Sequence, residues 1–291
     1  MSLQNSFLED IQQEIPFDFA RHSSIGVGGH AKIAYYPKNI FQMKALLSYL
    51  NESKTTYYVV GNMSNVLPCD EDTDKVIVCT KGLTGMQVNN CVFVEAGVMS
   101  GAFLNACREA RKIGAEFLVG IPCTIGGALY MNAGVKERYM AEIVESVLVF
   151  KDGKMELLSQ KECCYGYKKS SFMDGKSIIL GASLRLQNGD SEVIEKEKRY
   201  FLEKRAHLPK GKSMGCVFKN PNGATAGALI ENVGLKGCRI GGAFISNAHA
   251  NFIINDKNAT STDVQALIAL IKKTVFEKYK IQLEEEIRYL I

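Results

Sequence analysis

Val119-Gly120-Ile121-Pro122-Cys123-Thr124-Ile125-Gly126-Gly127-Ala128-Leu129-Tyr130-Met131-Asn132-Ala133-Gly134 is the run around which the rest of the chain is organised. Four of its sixteen residues are glycine and none carries a charge. Glycine admits positive φ and removes the Cβ that would keep a bulky group away from the backbone. Two readings are open for such a run. It can bring backbone N–H groups to an anion, which they attract by donation and by dipole. It can equally be a tight turn inside a packed core.

A second glycine-marked loop favours the first reading. Tyr57-Tyr58-Val59-Val60 reads as a buried strand and runs straight into Gly61-Asn62-Met63-Ser64-Asn65, then Val66-Leu67-Pro68. Strands that end in small polar turns are where nucleotide cofactors bind in α/β proteins. Neither loop has the G-x-G-x-x-G or the G-x-x-x-x-G-K-[ST] pattern, so neither a nicotinamide-binding doubly wound domain nor a P-loop ATPase is supported.

With 291 residues the chain can bury a large core in two or three lobes. Hydrophobic residues make up 46% and charged residues 23%, as in a soluble globular protein. A net charge of +4 is too small to indicate nucleic acid or membrane as partner. No apolar run reaches the roughly 18 residues that would span a bilayer. Residues 1–19 carry Glu9, Asp10 and Glu14 and do not read as a secretory signal. The nine cysteines are odd in number and form no C-x-x-C pair. They therefore read as buried thiols of a cytoplasmic protein, with neither a disulfide scaffold nor a metal site.

In chain order, residues 1–22 read as a short helical lead and 32–36 as a strand closed by Pro37. Asn39 is placed to cap a helix whose Met43, Leu46, Leu47 and Leu50 share one face. Strands follow at 75–79 and 90–96. A helix then opens at Ser100, with Phe103, Ala106, Cys107 and Ala110 inward and Gly114 past its end. Residues 143–158 form a hairpin turned at Asp152-Gly153, and 177–186 another strand. Eight Lys/Arg against two Glu fill residues 196–219, an excess of +6 that can draw a polyanionic substrate or NADPH. Beyond it come a helix at 225–233 ended by Gly234 and a strand at 251–255. Last comes a long helix with a Thr262/Gln265 capping pattern and an apolar face of Val264, Leu267, Ile268, Ile271 and Val275. Strands, helices and a hairpin together make the class α+β.

These segments resemble the UDP-N-acetylenolpyruvoylglucosamine reductase family. The two loops are similar to its G-x-G-S-N and G-I-P-G-T-V-G-G-A…N-A-G segments. Tyr165-Gly166-Tyr167-Lys168-Lys169-Ser170-Ser171-Phe172 is similar to F-G-Y-R-x-S-x-F. Gly215-Cys216-Val217-Phe218-Lys219-Asn220-Pro221 is similar to G-S-x-F-K-N-P. Ala226-Gly227-Ala228-Leu229-Ile230-Glu231 with Gly234-Leu235-Lys236-Gly237 follows A-G-x-L-I-E…G-L-K-G. Ser246-Asn247-Ala248-His249-Ala250-Asn251-Phe252-Ile253 follows S-x-x-H-A-N-F-I, and Leu283-Glu284-Glu285-Glu286-Ile287-Arg288 follows L-E-P-E-V-R. The likeness runs in order from about residue 24 to the end.

The resemblance implies a two-lobed FAD-binding domain of the vanillyl-alcohol-oxidase/PCMH type, residues 1–78 and 79–195. A C-terminal α+β substrate domain, 196–291, completes the shorter branch of the family. It implies NADPH-dependent reduction of UDP-N-acetylglucosamine enolpyruvate to UDP-N-acetylmuramate through bound FAD, in peptidoglycan synthesis. That work serves cell wall biogenesis, cell shape, the cell cycle and cell division, and the enzyme is expected to be a cytoplasmic monomer. The implied cofactor contacts are Gly61, Asn62, Met63, Ser64, Asn65, Gly120, Pro122, Thr124, Gly126, Gly127, Asn132, Ala133 and Gly134. The implied substrate contacts are Tyr167, Lys219, Asn220 and Asn251.

Three catalytic positions follow from the same likeness. Cys216 stands where the family has a serine proton donor; a thiol, with a reference pKa of about 8.5, gives up its proton more readily than an alcohol. Glu286 matches the acidic residue near the C-terminus. Lys168 stands in the place of an arginine, a point charge where the family has a planar fork. Met63 and Cys123 each put a side chain where the family has glycine. A non-catalytic paralogue that binds flavin or nucleotide sugar, and an FAD-linked oxidase on the same fold, are the alternative readings.

Overall fold

Two sheets organise the first of two units in the computed structural model, which describes residues 6–135 and 138–290. This unit comprises Met1–Ile15, Ile33–Asn62 and Lys75–Arg205. Its four-stranded sheet runs Gln12–Glu14, Ala34–Tyr36, Val76–Cys79, Tyr57–Val60 in spatial order. The first pair is antiparallel and the other two are parallel. The crossover is the helix Ile40–Glu52, which Asn39 caps by accepting from Gln42 N–H at 2.9 Å. Its Met43, Leu46, Leu47 and Leu50 are all buried, as their spacing requires. Each such side chain contributes about 1.5–3 kcal/mol by leaving water.

The five-stranded sheet is antiparallel throughout, in the order Lys154–Ser159, Val144–Lys151, Ser177–Leu184, Val92–Glu95, Met86–Val88. Asp152 (φ 47°) and Gly153 (φ 78°) turn the hairpin, the two left-handed residues that a two-residue loop matched to strand twist demands. The helix Ser100–Glu109 buries Phe103 and Cys107, and Ala106 and Ala110 are half-buried. The helix Ser191–Arg205 runs on through residue 196, where the C-terminal domain is expected to begin; its Phe201 is buried in this unit's core.

The second unit comprises Pro16–Lys32, Met63–Asp74 and Ala206–Ile291. Arg239–Ile240, Ala243–Ile245 and Ile253–Asn255 form its antiparallel sheet. The long helix Ser261–Tyr279 lays Val264, Leu267, Ile268, Ile271 and Val275 into the core. Arg288–Leu290 pairs in parallel with Val66–Pro68, the strand that leaves the loop 61–65. The helix Ala226–Asn232 starts on Thr225, whose hydroxyl accepts from Ala228 N–H, and Gly234 (φ 76°) lies beyond its end.

Two local expectations are corrected. The helical lead over 1–22, of which 1–5 lie outside the described residues, is broken. Ser6–Glu9 and Phe19–His22 are single turns, and Gln12–Glu14 between them pairs with Ala34–Tyr36. That partner lies 22 residues on, and Pro16 could not have continued a helix in any case. The capping box of the long helix is Thr260 with Asp263, one register earlier than Thr262 with Gln265. Asp70 explains the shift: its carboxylate accepts from Ser261 and Thr262 N–H and from the Thr262 hydroxyl, which occupies Thr262 inside the first turn.

Candidate active site

In the first unit the two glycine loops touch. Asn62 Nδ2 donates to Pro122 O at 2.7 Å, and a Cβ at Gly61 would fall 2.3 Å from Thr124 Oγ1. Thr124 caps the helix Ile125–Tyr130 by accepting from Gly127 N–H. Gly126 sits where a Cβ would lie 2.9 Å from the Cβ of Ala96, so the helix can settle onto the sheet only with glycine there.

The loop buries its side chains and shows its backbone. Cys123, Thr124 and Ile125 are buried, whereas Gly120 and Pro122 are exposed and Gly126 and Gly127 half-buried. Met63 follows the same rule, its side chain 4% exposed between half-buried Asn62 and Ser64. Met63 adopts φ 49°, the left-handed conformation that the family's glycine takes freely, and carries the strain of a side chain there. Burial pushes the Cys123 thiol up to about 11, so it stays protonated. Cys123 and Met63 therefore do not occupy the surface that a diphosphate would approach, and these loops fit FAD through bare backbone. The helix-start donors are spent within the protein: Ile125 and Gly126 N–H donate to Val98 O and Ala96 O, both at 2.8 Å. Open backbone, rather than a ring of free N–H groups at the helix start, is what the loop offers.

Lys168 sits at the corner of a tight turn. Gly166 and Lys169 exchange backbone hydrogen bonds of 3.0 and 3.2 Å, leaving Tyr167 and Lys168 at the tip. Lys168 has φ 52° and is half-buried, and Tyr167 is 47% exposed. The turn is tied to the central loop. Asn132 Nδ2 donates to Gly166 O at 2.9 Å, and Ser170 Oγ donates to Tyr130 O at 2.6 Å. Asn132 is 5% exposed and its Oδ1 accepts from Ala141 N–H, so its amide is engaged within the protein. Ala133 is buried behind it, and a Cβ at Gly134 would strike Arg138 O at 2.1 Å.

In the second unit residues 70 apart in sequence come side by side. Glu286 N–H donates to Val217 O at 2.8 Å and Lys219 N–H to Glu284 O at 2.9 Å, with Phe218 and Glu285 bridged between them. Cys216 and Glu286 are therefore carried by adjoining backbone runs, and both are half-buried. Gly215 (φ 77°) turns the chain into Cys216. Asn65 holds the other side: its Nδ2 donates to Glu286 O at 3.0 Å and its carbonyl accepts from Arg288 N–H at 2.9 Å. Lys219 is ion-paired to Glu284, Asn220 Oδ1 accepts from Ala226 N–H, and Glu285 takes Lys272 and the Tyr289 hydroxyl. His249 stacks on His207 with ring centroids 6.1 Å apart, and burial, then the His207 charge, keeps its pKa below the usual histidine range.

The comparisons bear directly on these two units. Residues 206–290 match the model of the UDP-N-acetylenolpyruvoylglucosamine reductase C-terminal domain, and 31–159 that of an FAD binding domain. The UDP-N-acetylenolpyruvoylglucosamine reductase of Thermotoga petrophila is 38% identical over 91% of this chain and 94% of its own. That of Geobacter metallireducens is 39% identical over 92% and 91%. The chain belongs to the UDP-N-acetylenolpyruvoylglucosamine reductase family. The crystal structure of the family member from Thermus caldophilus superposes with a TM-score of 0.83 at 32% identity, covering 97% of this chain and 99% of that one.

Two features of this reductase chain escape a reading of its sequence. Arg205, visible only as one of a run of basic residues, ends its helix with Cδ and Nε 3.4 Å from the Cβ position of Gly120. Asn251, expected among the substrate contacts, is 3% exposed and bonded to the backbone of Phe218 through both ends of its amide. Among the described residues no group of three metal-ligating side chains gathers, and no helix is long and apolar enough to cross a membrane.

Proposed function

We propose that this protein reduces UDP-N-acetylglucosamine enolpyruvate to UDP-N-acetylmuramate with NADPH, in the cytoplasm and as a monomer. The reading is carried by the backbone pairing of 217–219 with 284–286, which joins the runs that carry Cys216 and Glu286 within the domain matched by the reductase model. Residues 61–65 and 120–134 would hold FAD, which when bound would supply hydride transfer from NADPH to the methylene carbon of the enolpyruvyl group. The chain's own residues then handle charge and proton. Adding hydride to that carbon places negative charge on the substrate carboxylate and leaves the carbon bearing oxygen to be protonated. Cys216 Sγ–H delivers that proton, and the thiolate is reprotonated from solvent. Glu286 serves as the acidic catalytic residue on the run beside that of Cys216, and Lys168 neutralises the substrate carboxylate as a cation at the tip of its turn. Tyr167, Lys219 and Asn220 bind the nucleotide sugar.

The purified protein is expected to carry one non-covalent FAD through gel filtration, visible as flavin absorbance that acid releases. NADPH should then be consumed only when the enolpyruvyl substrate is added. Consumption that needs oxygen instead of that substrate would establish an oxidase. Bound flavin with no consumption under either condition would establish a non-catalytic paralogue.

A further inference from the structure

Among the described residues, the run 217–219 has a strand partner on one side only, residues 284–286. On the other side a single residue takes the place of a strand. Asn251 O accepts from Val217 N–H at 2.9 Å, its Oδ1 accepts from Phe218 N–H at 2.9 Å, and its Nδ2 donates to Phe218 O at 2.8 Å. Asn251 N–H in turn donates to His249 Nδ1 at 3.3 Å. The carboxamide thus copies a peptide unit, one donor and one acceptor, against both polar groups of Phe218. Asn251 is 3% exposed and Phe218 1%, so water does not compete for these bonds.

We propose that Asn251 is a positioning residue for proton delivery, fixing the backbone that carries Cys216; this rests on the reading of Cys216 as the donor. The function needs this precision, because a displacement of about 1 Å can cost on the order of 100-fold in rate. No other side chain that is neutral near pH 8 offers a donor and an acceptor at this length. Aspartate keeps the acceptor and, when ionised, sets a charge against Phe218 O. Protonated aspartate restores both arms.

The test compares Asn251→Ala, Asn251→Asp and Cys216→Ala in the full chain with FAD bound. Two readouts concern catalysis: bleaching of the flavin absorbance by NADPH, and its return when the enolpyruvyl substrate is added. Two do not: alkylation of Cys216 by iodoacetamide, followed on its peptide by mass spectrometry, and amide exchange of the peptide covering Val217 and Phe218. In Asn251→Ala the return of absorbance should slow by about 10- to 100-fold, with bleaching changed far less. Cys216 alkylation and Val217–Phe218 exchange should both rise. Asn251→Asp should match the alanine variant near pH 8 and recover towards the parent as pH falls and its carboxyl protonates.

A folded alanine variant with the parental rate of return, alkylation and exchange overturns the proposal. So does an aspartate variant without recovery at low pH, which also serves if the alanine variant fails to fold. If Cys216→Ala itself shows the parental rate of return, the assignment of the donor fails instead. Alkylation and exchange then judge the clamp alone.

Discussion

Under the proposed function, the thiol at residue 216 takes the role that the family gives to a hydroxyl. Cys216 is half-buried, whereas burial holds Cys107, Cys123 and Cys163 neutral, pushed up to about 12, 11 and 11. Cys216→Ala is expected to leave bleaching of the flavin by NADPH near the parental rate. The return of absorbance with the enolpyruvyl substrate should slow about 100- to 10,000-fold, the range a general acid supplies. Cys216→Ser should keep much of the activity. Stopped-flow absorbance separates the two phases, and an alanine variant that matches the parent in both makes Cys216 a packing residue. Cys216 and Glu286 were legible as candidates because each sits in a motif of its own. The roles of Asn132 and Asn251 were not, since their partners Gly166 and Phe218 lie 34 and 33 residues away and nothing local specifies them.

At the scale of elements, short-range chemistry was legible and pairing was not. Asn39 caps its helix and Asp152-Gly153 turns its hairpin because both depend on neighbours within a few residues. The strand Gln12–Glu14 escaped, since its partner is distant, and so did the start of the long helix, which depends on Asp70. That start has a pH signature. Asp263 accepts from Thr260 N–H at 3.0 Å and Gly242 N–H at 3.1 Å, and these backbone bonds hold its pKa below the usual carboxylate range. A depressed pKa means that the stabilisation is complete above the unfolded value of about 3.9 and disappears as pH falls through the folded one. Asp263→Ala is therefore expected to destabilise this unit by about 0.5–2 kcal/mol at neutral pH, as loss of a cap does. The gap between variant and parent should close as pH drops below about 4. Urea titrations at several pH values measure this; a gap that stays constant into acid would mean that the Asp263 charge contributes nothing.

For the whole molecule, the α+β class and the FAD-binding and substrate portions were legible from ordered motifs. The interleaving was not: Pro16–Lys32 and Met63–Asp74 belong with the C-terminal residues, and no change of composition marks those passages, whereas the passage from Arg205 to Ala206 falls inside the basic stretch 196–219. The basic stretch 196–219 shows the same division. Its first five cations lie on Ser191–Arg205 in the first unit, and Lys210, Lys212 and Lys219 lie in the second. Local partners already engage some of them: Lys219 pairs with Glu284, Lys198 lies 3.7 Å from Glu195, and Lys204 lies over the Tyr200 ring. Arg205 is set against Gly120. A pair on the surface contributes little to stability, but the basic residues of 196–219 are expected to attract an approaching anion over a screening length. That length shrinks from about 30 Å at 0.01 M salt to about 3 Å at 1 M. The substrate carries a diphosphate and a carboxylate, so its capture should weaken across that range while the chemistry, once it is bound, changes little. KM for the enolpyruvyl substrate is therefore expected to rise with salt more steeply than kcat falls. Replacing Lys196 and Arg199, which share a face of that helix, with alanine should flatten the dependence. Initial rates at several salt concentrations decide it. A KM that stays level in the parent makes the stretch a solvated surface, and an equal slope in parent and double variant moves the steering charge elsewhere.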